Sequence, residues 1–390
     1  MFHHDNRNYQ DAVKAATEHL EKRIASSVLS AQELVERVQN EVPTDRVVPT
    51  TRFKVVYKTN EIKGTDGKGK EIVTYKHDIG ISTNVFKEGL YAPHALSQLA
   101  TRADIPQRFI STLLTKPYGG ELIALNFNEI FERESPEKYL FRSVDSQIRG
   151  VLSANYKRLD SRPILDAFIG ACQNVGALPC EGIFGDLRFA LKAIIPKVYV
   201  VGGDKSEEAV AFGIQLSHSD FGKGALSLRF FILRVWCTNT GTLQEEMRQI
   251  HLGKRLSDDI EFANDTLIAD SKAQSLAVRD IVKASLGNDR VEKACALLDA
   301  AIKEDFNPAK AYAAMKEKLG LNKTEVDEVR KLYNDNGEIT ELPKGNNRYR
   351  MANAISWFAK AGEGVNKDRR MELERASGKL LMGDMSEEAA

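Results

Sequence analysis

The 390-residue chain has no surplus of either charge: 55 Lys and Arg stand against 55 Asp and Glu. A protein that coats duplex DNA by electrostatics carries a basic excess, so any nucleic-acid site here has to be a local patch. Cysteine is sparse. Cys172, Cys180, Cys237 and Cys295 form no CxxC pair, which excludes a disulfide framework and a zinc site of the common spacings. No apolar run approaches the roughly 20 residues of a membrane helix. Residues 1–10 are polar, unlike a secretory leader. The expectation is a cytoplasmic chain with no membrane partner, metal or cofactor. Catalytic signatures are missing too. There is no GxxxxGK[ST], HExxH, GxSxG or GxGxxG. The first absence argues against a recombinase or helicase driven by ATP.

What is present centres on residues 209–239. AVAFGIQLSHS and ALSLRFFILRVWCTN flank the turn DFGKG, the pattern of a long antiparallel hairpin. Residues 187–201 add one or two strands before it. There Leu187, Phe189, Leu191, Ala193 and Ile195 alternate with Arg188 and Lys192. Arg229 and Arg234 sit between apolar neighbours in the next strands. The second face of the sheet would then carry Arg188, Lys192, Arg229 and Arg234. Such a face either tracks a nucleic-acid backbone or lies under helices, paired with acids. His218 and Asp220, at the hairpin tip, are a close His–acid pair and read as a surface turn. They open the alternative of an enzyme whose site is dispersed along the chain.

The rest falls into order around this hairpin. Residues 8–42 have helical spacing, and Ser30 with Glu33 reads as a capping box dividing them into two helices. Residues 52–59 (RFKVVYKT) alternate Phe53, Val55 and Tyr57 with Arg52, Lys54 and Lys58. Residues 72–82 answer them across a glycine-rich loop. Its tip carries Lys63, Lys68 and Lys70, a possible phosphate-touching finger whose charge is cancelled by Glu61, Asp66 and Glu71. Residues 93–115 have the apolar spacing of a helix-turn-helix, with Asp104 in the turn. Gln107, Arg108, Ser111 and Thr112 would face a duplex, although such pairs also pack without DNA. Residues 139–160 hold Arg142, Arg149, Lys157 and Arg158 beside Tyr156, suited to phosphate and base of a single strand or to a solvated strand face. An amphipathic helix follows at 163–175, and residues 243–381 are mostly helical.

The chain therefore divides into N-terminal helices and linker (1–48), a hairpin plus helix pair (49–138), a central sheet domain (139–242) and a helical region (243–390). The fold class is α+β: an antiparallel β-meander with a packed helix, a preceding β-hairpin and helix pair, and a helical C-terminal region.

Three stretches together resemble one family. They are VLSANYKRLDSRPILDAF at 151–168, LRVWCTNTGT at 233–242 and RYRMANAISWFAKAG at 348–362, followed by RMELERASGKLL. In this order they are similar to the phage/plasmid-like proteins, domain of unknown function 932. The resemblance implies carriage on mobile elements and a role in their DNA metabolism. By analogy of fold pattern, a β-meander backed by a helix and lacking a nucleotide motif suits an ATP-independent single-strand annealing protein. The leading expectation is thus a non-enzymatic, homo-oligomeric binder of single-stranded nucleic acid. Arg149, Lys157, Arg158, Arg188, Lys192, Arg229 and Arg234 would neutralise phosphate, and Tyr156 would stack. A duplex- or partner-binding regulator is the alternative.

Overall fold

The computed structural model describes residues 7–65, 67, 70–91, 93–156, 158–202, 208–236, 240–249, 264–304, 306–335 and 342–383. The first element is a single helix, α1 (Arg7–Asn40), where the sequence suggests two. Its apolar stripe runs through Ala16, Leu20, Ile24, Ala31, Leu34 and Val38, and no Gly or Pro interrupts it. Ser30 caps nothing. Its hydroxyl donates to the Ser27 carbonyl (2.8 Å) and accepts the Gly182 N–H (3.1 Å). Gly182 is required there, since a Cβ would lie 2.1 Å from the Ser30 carbonyl oxygen.

The first sheet begins with β1 (Thr44–Pro49), a 3₁₀ turn (Thr50–Arg52), β2 (Lys54–Thr65), β3 (Glu71–Ser82) and β4 (Lys87–Leu90). Helices α2 (His94–Arg102), α3 (Gln107–Leu113) and α4 (Gly119–Arg133) intervene before β5 (Lys138–Val144) and β6 (Gln147–Ser153). The strand order is β1-β5-β6-β4-β3-β2, antiparallel except for β4 and β6. Its two end strands are consecutive in the chain, joined through the 3₁₀ turn. Counted as one bent strand, they make the order cyclic: bent strand, β3, β4, β6, β5, bent strand. This is the connectivity of a five-stranded, partly open Greek-key barrel. Phe53, Val55, Ile79, Ile81, Phe141 and Val151 point inward, and α2–α4 plug the barrel. Phe53 packs edge-on against Phe131 and Phe141 at 5.4 and 5.3 Å. Asn128 of α4 bonds both the N–H and C=O of Val55 (2.8 and 2.9 Å), supplying β2 with the backbone partner it lacks on that side.

This pairing corrects the expected boundary at 139. Strands β5 and β6 belong to the barrel and not to the central sheet, because Tyr139, Phe141, Ile148 and Val151 complete its interior. The central sheet starts later. After α5 (Ser161–Asn174) come β7 (Leu178–Phe184), β8 (Phe189–Ile194), β9 (Tyr199–Val201), β10 (Glu208–His218), β11 (Leu226–Arg234) and β12 (Thr240–Gln249). The order is β12-β11-β10-β8-β7, all antiparallel, with β9 beside β10. The hairpin expected at 209–239 is β10–β11. Beyond it lie α6 (Asn264–Ser285), α7 (Asn288–Lys303), α8 (Pro308–Glu317), α9 (Lys323–Asn334), α10 (Arg348–Ala361) and α11 (Lys367–Met382). The fold is α+β with a helical C-terminal region. No helix among the described residues is long and apolar enough to cross a membrane.

Both faces of the central sheet are covered. Leu191, Phe212, Ile214, Leu228 and Phe230 pack under α5 and the C-terminal helices. On the other side Ile194, Ala211, Phe231 and Leu233 pack under Ala16, Leu20 and Ile24 of α1. The stretches at 151–168 and 348–362 contribute Leu165, Phe168, Tyr349 and Met351 to the first of these cores, and the stretch at 233–242 contributes Leu233 to the second.

Candidate nucleic-acid interface

The central sheet does not present a cationic face. Lys192 and Arg229 flank Gln215 in one cross-strand row, and Arg234 points to the opposite side with Ile232. Lys192 is 1% exposed and lies between Glu181 (3.1 Å) and Glu374 of α11 (2.9 Å). Arg370 closes this cluster on Glu181 and Glu374 at 2.6 and 3.1 Å. Burial pushes the Glu181 carboxyl up, but the charges of Lys192 and Arg370 outweigh it and hold Glu181 well below the usual carboxylate range. Arg234 is buried in a two-pronged pair with Glu208 (2.5 and 2.9 Å). Arg188 and Arg229 are half-buried. A sheet clad on both faces has no room for a polynucleotide, so its inward cations are matched by acids instead.

The 139–160 cluster is also occupied by protein. Arg149 donates to Glu41 (2.6 Å) and leans on the Phe221 ring. Arg158 lies 3.4 Å from Asp45, Tyr156 is half-buried with its hydroxyl inside, and Lys157 lies outside the described residues. Arg142, 1% exposed, bonds Asp45 (2.8 Å), Asp160 (2.7 Å) and the Asp220 carbonyl (3.0 Å). It joins the barrel, the start of α5 and the β10–β11 tip.

That tip is not a surface turn. His218 and Phe221 are buried, and the Phe221 carbonyl accepts from His94 (3.0 Å) and Gln98 (3.1 Å) of α2. Apolar Phe221 wedged between the two sheets is what pulls the turn inward. Asp220 accepts from both the N–H (3.0 Å) and hydroxyl (2.6 Å) of Ser161, capping α5 from a distant segment. Burial raises the Asp220 carboxyl, yet its contacts with His218, Arg142 and Ser161 win and hold it low. The Ser161 hydroxyl is thus engaged by a carboxylate. His218 Nε2 donates to the Leu159 carbonyl at 2.8 Å. With Asp220 taking both the N–H and the hydroxyl of Ser161, the arrangement is that of a helix cap.

The exposed basic surface is elsewhere, on the outer face of the barrel. The register sets Lys54 beside Ser82 and Lys87, Val56 beside Gly80 and Gly89, Lys58 beside Asp78, and Asn60 beside Lys76. One face therefore carries Lys54, Lys58, Lys76 and Lys87, all exposed, against the single acid Asp78. Asp78 bonds Asn60 (3.0 Å) and lies 3.6 Å from Lys76. Glu61 and Glu71, which cancel the loop's charge when counted along the chain, point to the opposite face with Lys63. Lys63 and Lys70 are exposed near the hairpin tip, and Lys68 lies outside the described residues. The alternation of Lys54 and Lys58 was readable in RFKVVYKT. The partners Lys76 and Lys87 needed the register.

The helix pair is present as α2 and α3, and Asp104 takes the left-handed turn (φ 52°). Gln107, Arg108, Ser111 and Thr112 are all exposed on α3. The Ser111 and Thr112 hydroxyls donate to the Gln107 and Arg108 carbonyls. No protein family, curated protein or solved structure matches this chain.

The described thiols are chemically quiet. Burial pushes Cys172 and Cys180 up to about 12 and Cys295 to about 11. A Cys237→Ser protein should react with a disulfide reagent at pH 8 about a hundredfold more slowly than a free thiol of ordinary pKa. It should label fully in denaturant. Rapid labelling of the folded protein would contradict the shielding of buried Cys172 and of the partly buried Cys180 and Cys295.

Proposed function

We propose that this protein binds single-stranded nucleic acid without catalysing a reaction, and that it serves strand annealing in a mobile element's DNA metabolism. The observation that carries the reading is the outer face of β2–β3–β4, with four exposed lysines against one acid. In five-stranded, partly open Greek-key barrels the face of the second and third strands, here β3 and β4, and the loop from the first strand are where oligonucleotides lie. The tip lysines Lys63 and Lys70 extend the same arm. A chain of zero net charge binds phosphate through such a local patch, and a homo-oligomer would repeat the patch along one strand. The mobile-element setting rests on the resemblance of residues 151–168, 233–242 and 348–362.

The test is fluorescence anisotropy with single- and double-stranded oligonucleotides of equal length over a salt series. The expected result is single-strand binding that weakens with salt. Replacing Lys58→Glu together with Lys76→Glu should lower affinity at least tenfold. Each lost phosphate contact removes about 0.7 from the salt slope, so the double variant should lose about 1.4. Absence of binding to either form at low salt would end this reading. A duplex-binding reading is favoured by one observation, the exposure of Gln107, Arg108, Ser111 and Thr112 on a single helix. It requires duplex preference that disappears in Arg108→Ala.

A further inference from the structure

Beside the lysine face, the bend between β1 and β2 and the β3–β4 turn enclose an open groove of about 890 Å³. Its walls are mixed in a specific way. Val47, Val48, Val85 and Phe86 supply apolar surface, and Val85 is 91% exposed. Arg46, Arg52 and Lys54 supply positive charge, and none of the lining residues is acidic. Arg46 spreads its guanidinium over the Phe86 ring, 4.7 Å from the centroid, and is anchored by Glu88. Lys54 and Val56 belong both to the groove and to the lysine face, so the two surfaces are continuous.

We infer that this groove seats unstacked bases of a single strand whose phosphates run over Lys54, Lys58, Lys76 and Lys87. It rests on the single-strand reading proposed above and names the part of the ligand that reading leaves open. An apolar wall beside a flat guanidinium matches a nucleobase, which needs a π surface and not a charge partner. The cations at the rim, Arg52 and Lys54, match the phosphates on either side. An acidic peptide adding as a strand fits less well. Pro49 offers no N–H, and the Thr50 N–H is spent on the Glu137 carbonyl (2.8 Å), so at the bend an added strand finds no backbone donor.

The experiment compares an oligodeoxythymidine strand with an abasic strand of the same length, against wild type, a Val47→Ser/Val85→Asp groove variant and the Lys58→Glu/Lys76→Glu face variant. A Lys310→Glu/Lys316→Glu variant on exposed α8 positions controls for net charge. Wild type should bind the abasic strand at least tenfold more weakly. The groove variant should bind both strands alike, at the wild-type abasic level. The face variant should weaken both in proportion. Wild type that binds both strands equally overturns the base-seating groove and leaves phosphate binding on the lysine face standing. A groove variant that still discriminates overturns it as well, and leaves the groove to an extended acidic segment. Wild type that binds neither strand removes both.

Discussion

Arg142→Ala should destabilise the folded protein by about 3–5 kcal/mol, the range for removing one partner of a buried charged cluster. Arg142 is among the largest fully buried side chains, and three acceptors converge on it: Asp45, Asp160 and the Asp220 carbonyl. Burial alone would lower the pKa of the guanidinium. The negative charges of Asp220, Asp45 and Asp160 outweigh it and raise its pKa above the ordinary value. Without the arginine, the largely buried Asp45 and Asp220 lose the cation between them, while Asp160 stays open to water. Arg142→Lys should recover only part of the loss, because an ammonium cannot present the planar fork that reaches three segments at once. Urea unfolding of both variants measures this. A loss under about 1 kcal/mol for the alanine variant would show that the sheets are not held together here. The same variant should expose the β10–β11 tip, so cleavage by protease near Gly222 and Lys223 should accelerate.

Lys192→Ala should cost a similar amount, about 3–5 kcal/mol, and for the same physical reason. Glu374 and Glu181 would lose the cation between them, leaving Arg370 to serve both. Because Glu374 lies on α11, the damage should be felt as loosening of the last helix from the central sheet. Lys192→Met with Glu374→Leu removes the charges on both sides while keeping Glu181 paired with Arg370. That double variant should recover most of the stability, as buried ion pairs replaced by packed apolar groups often do. The experiment also separates structure from function. Nucleic-acid affinity per folded molecule should be unchanged in Lys192→Ala. A specific loss of binding at undiminished stability would return the central sheet to consideration as the interface.

Alternation in β8, β10 and β11 was readable directly. Phe189, Leu191 and Ala193 do share a face, and Lys192 does point away from them. The amphipathic helix at 163–175 and the helical C-terminal region were equally plain, since both follow from spacing of apolar side chains along a single element. What spacing could not say was what covers each face. Lys192 and Arg234 look like phosphate ligands in the chain and are ion-paired core residues in the fold, because their acids come from Glu181, Glu374 and Glu208. Glu374 is 182 residues from Lys192. The same limit applies to the exposed lysine face of the barrel. Lys54 and Lys58 were visible as one side of a strand, but summing Glu61 and Glu71 along the chain hid a face that is basic once alternate residues are assigned to opposite sides.

Local sequence therefore determined that α1, α5 and the hairpin β10–β11 have apolar faces to bury, but it read residues 243–249 as helix and 44–48 as linker, where pairing with β11 and β5 makes the strands β12 and β1. Periodicity acts within one element, and the energy of burying a stripe is set there. The tertiary structure decided the rest. It made β1 and β2 a single bent strand closing a Greek-key barrel, drew the His218–Asp220 tip inside, and sorted the cations into buried pairs and an exposed face. Those outcomes depend on pairing between residues far apart in the chain, where charge and shape are matched across space and leave no spacing to read.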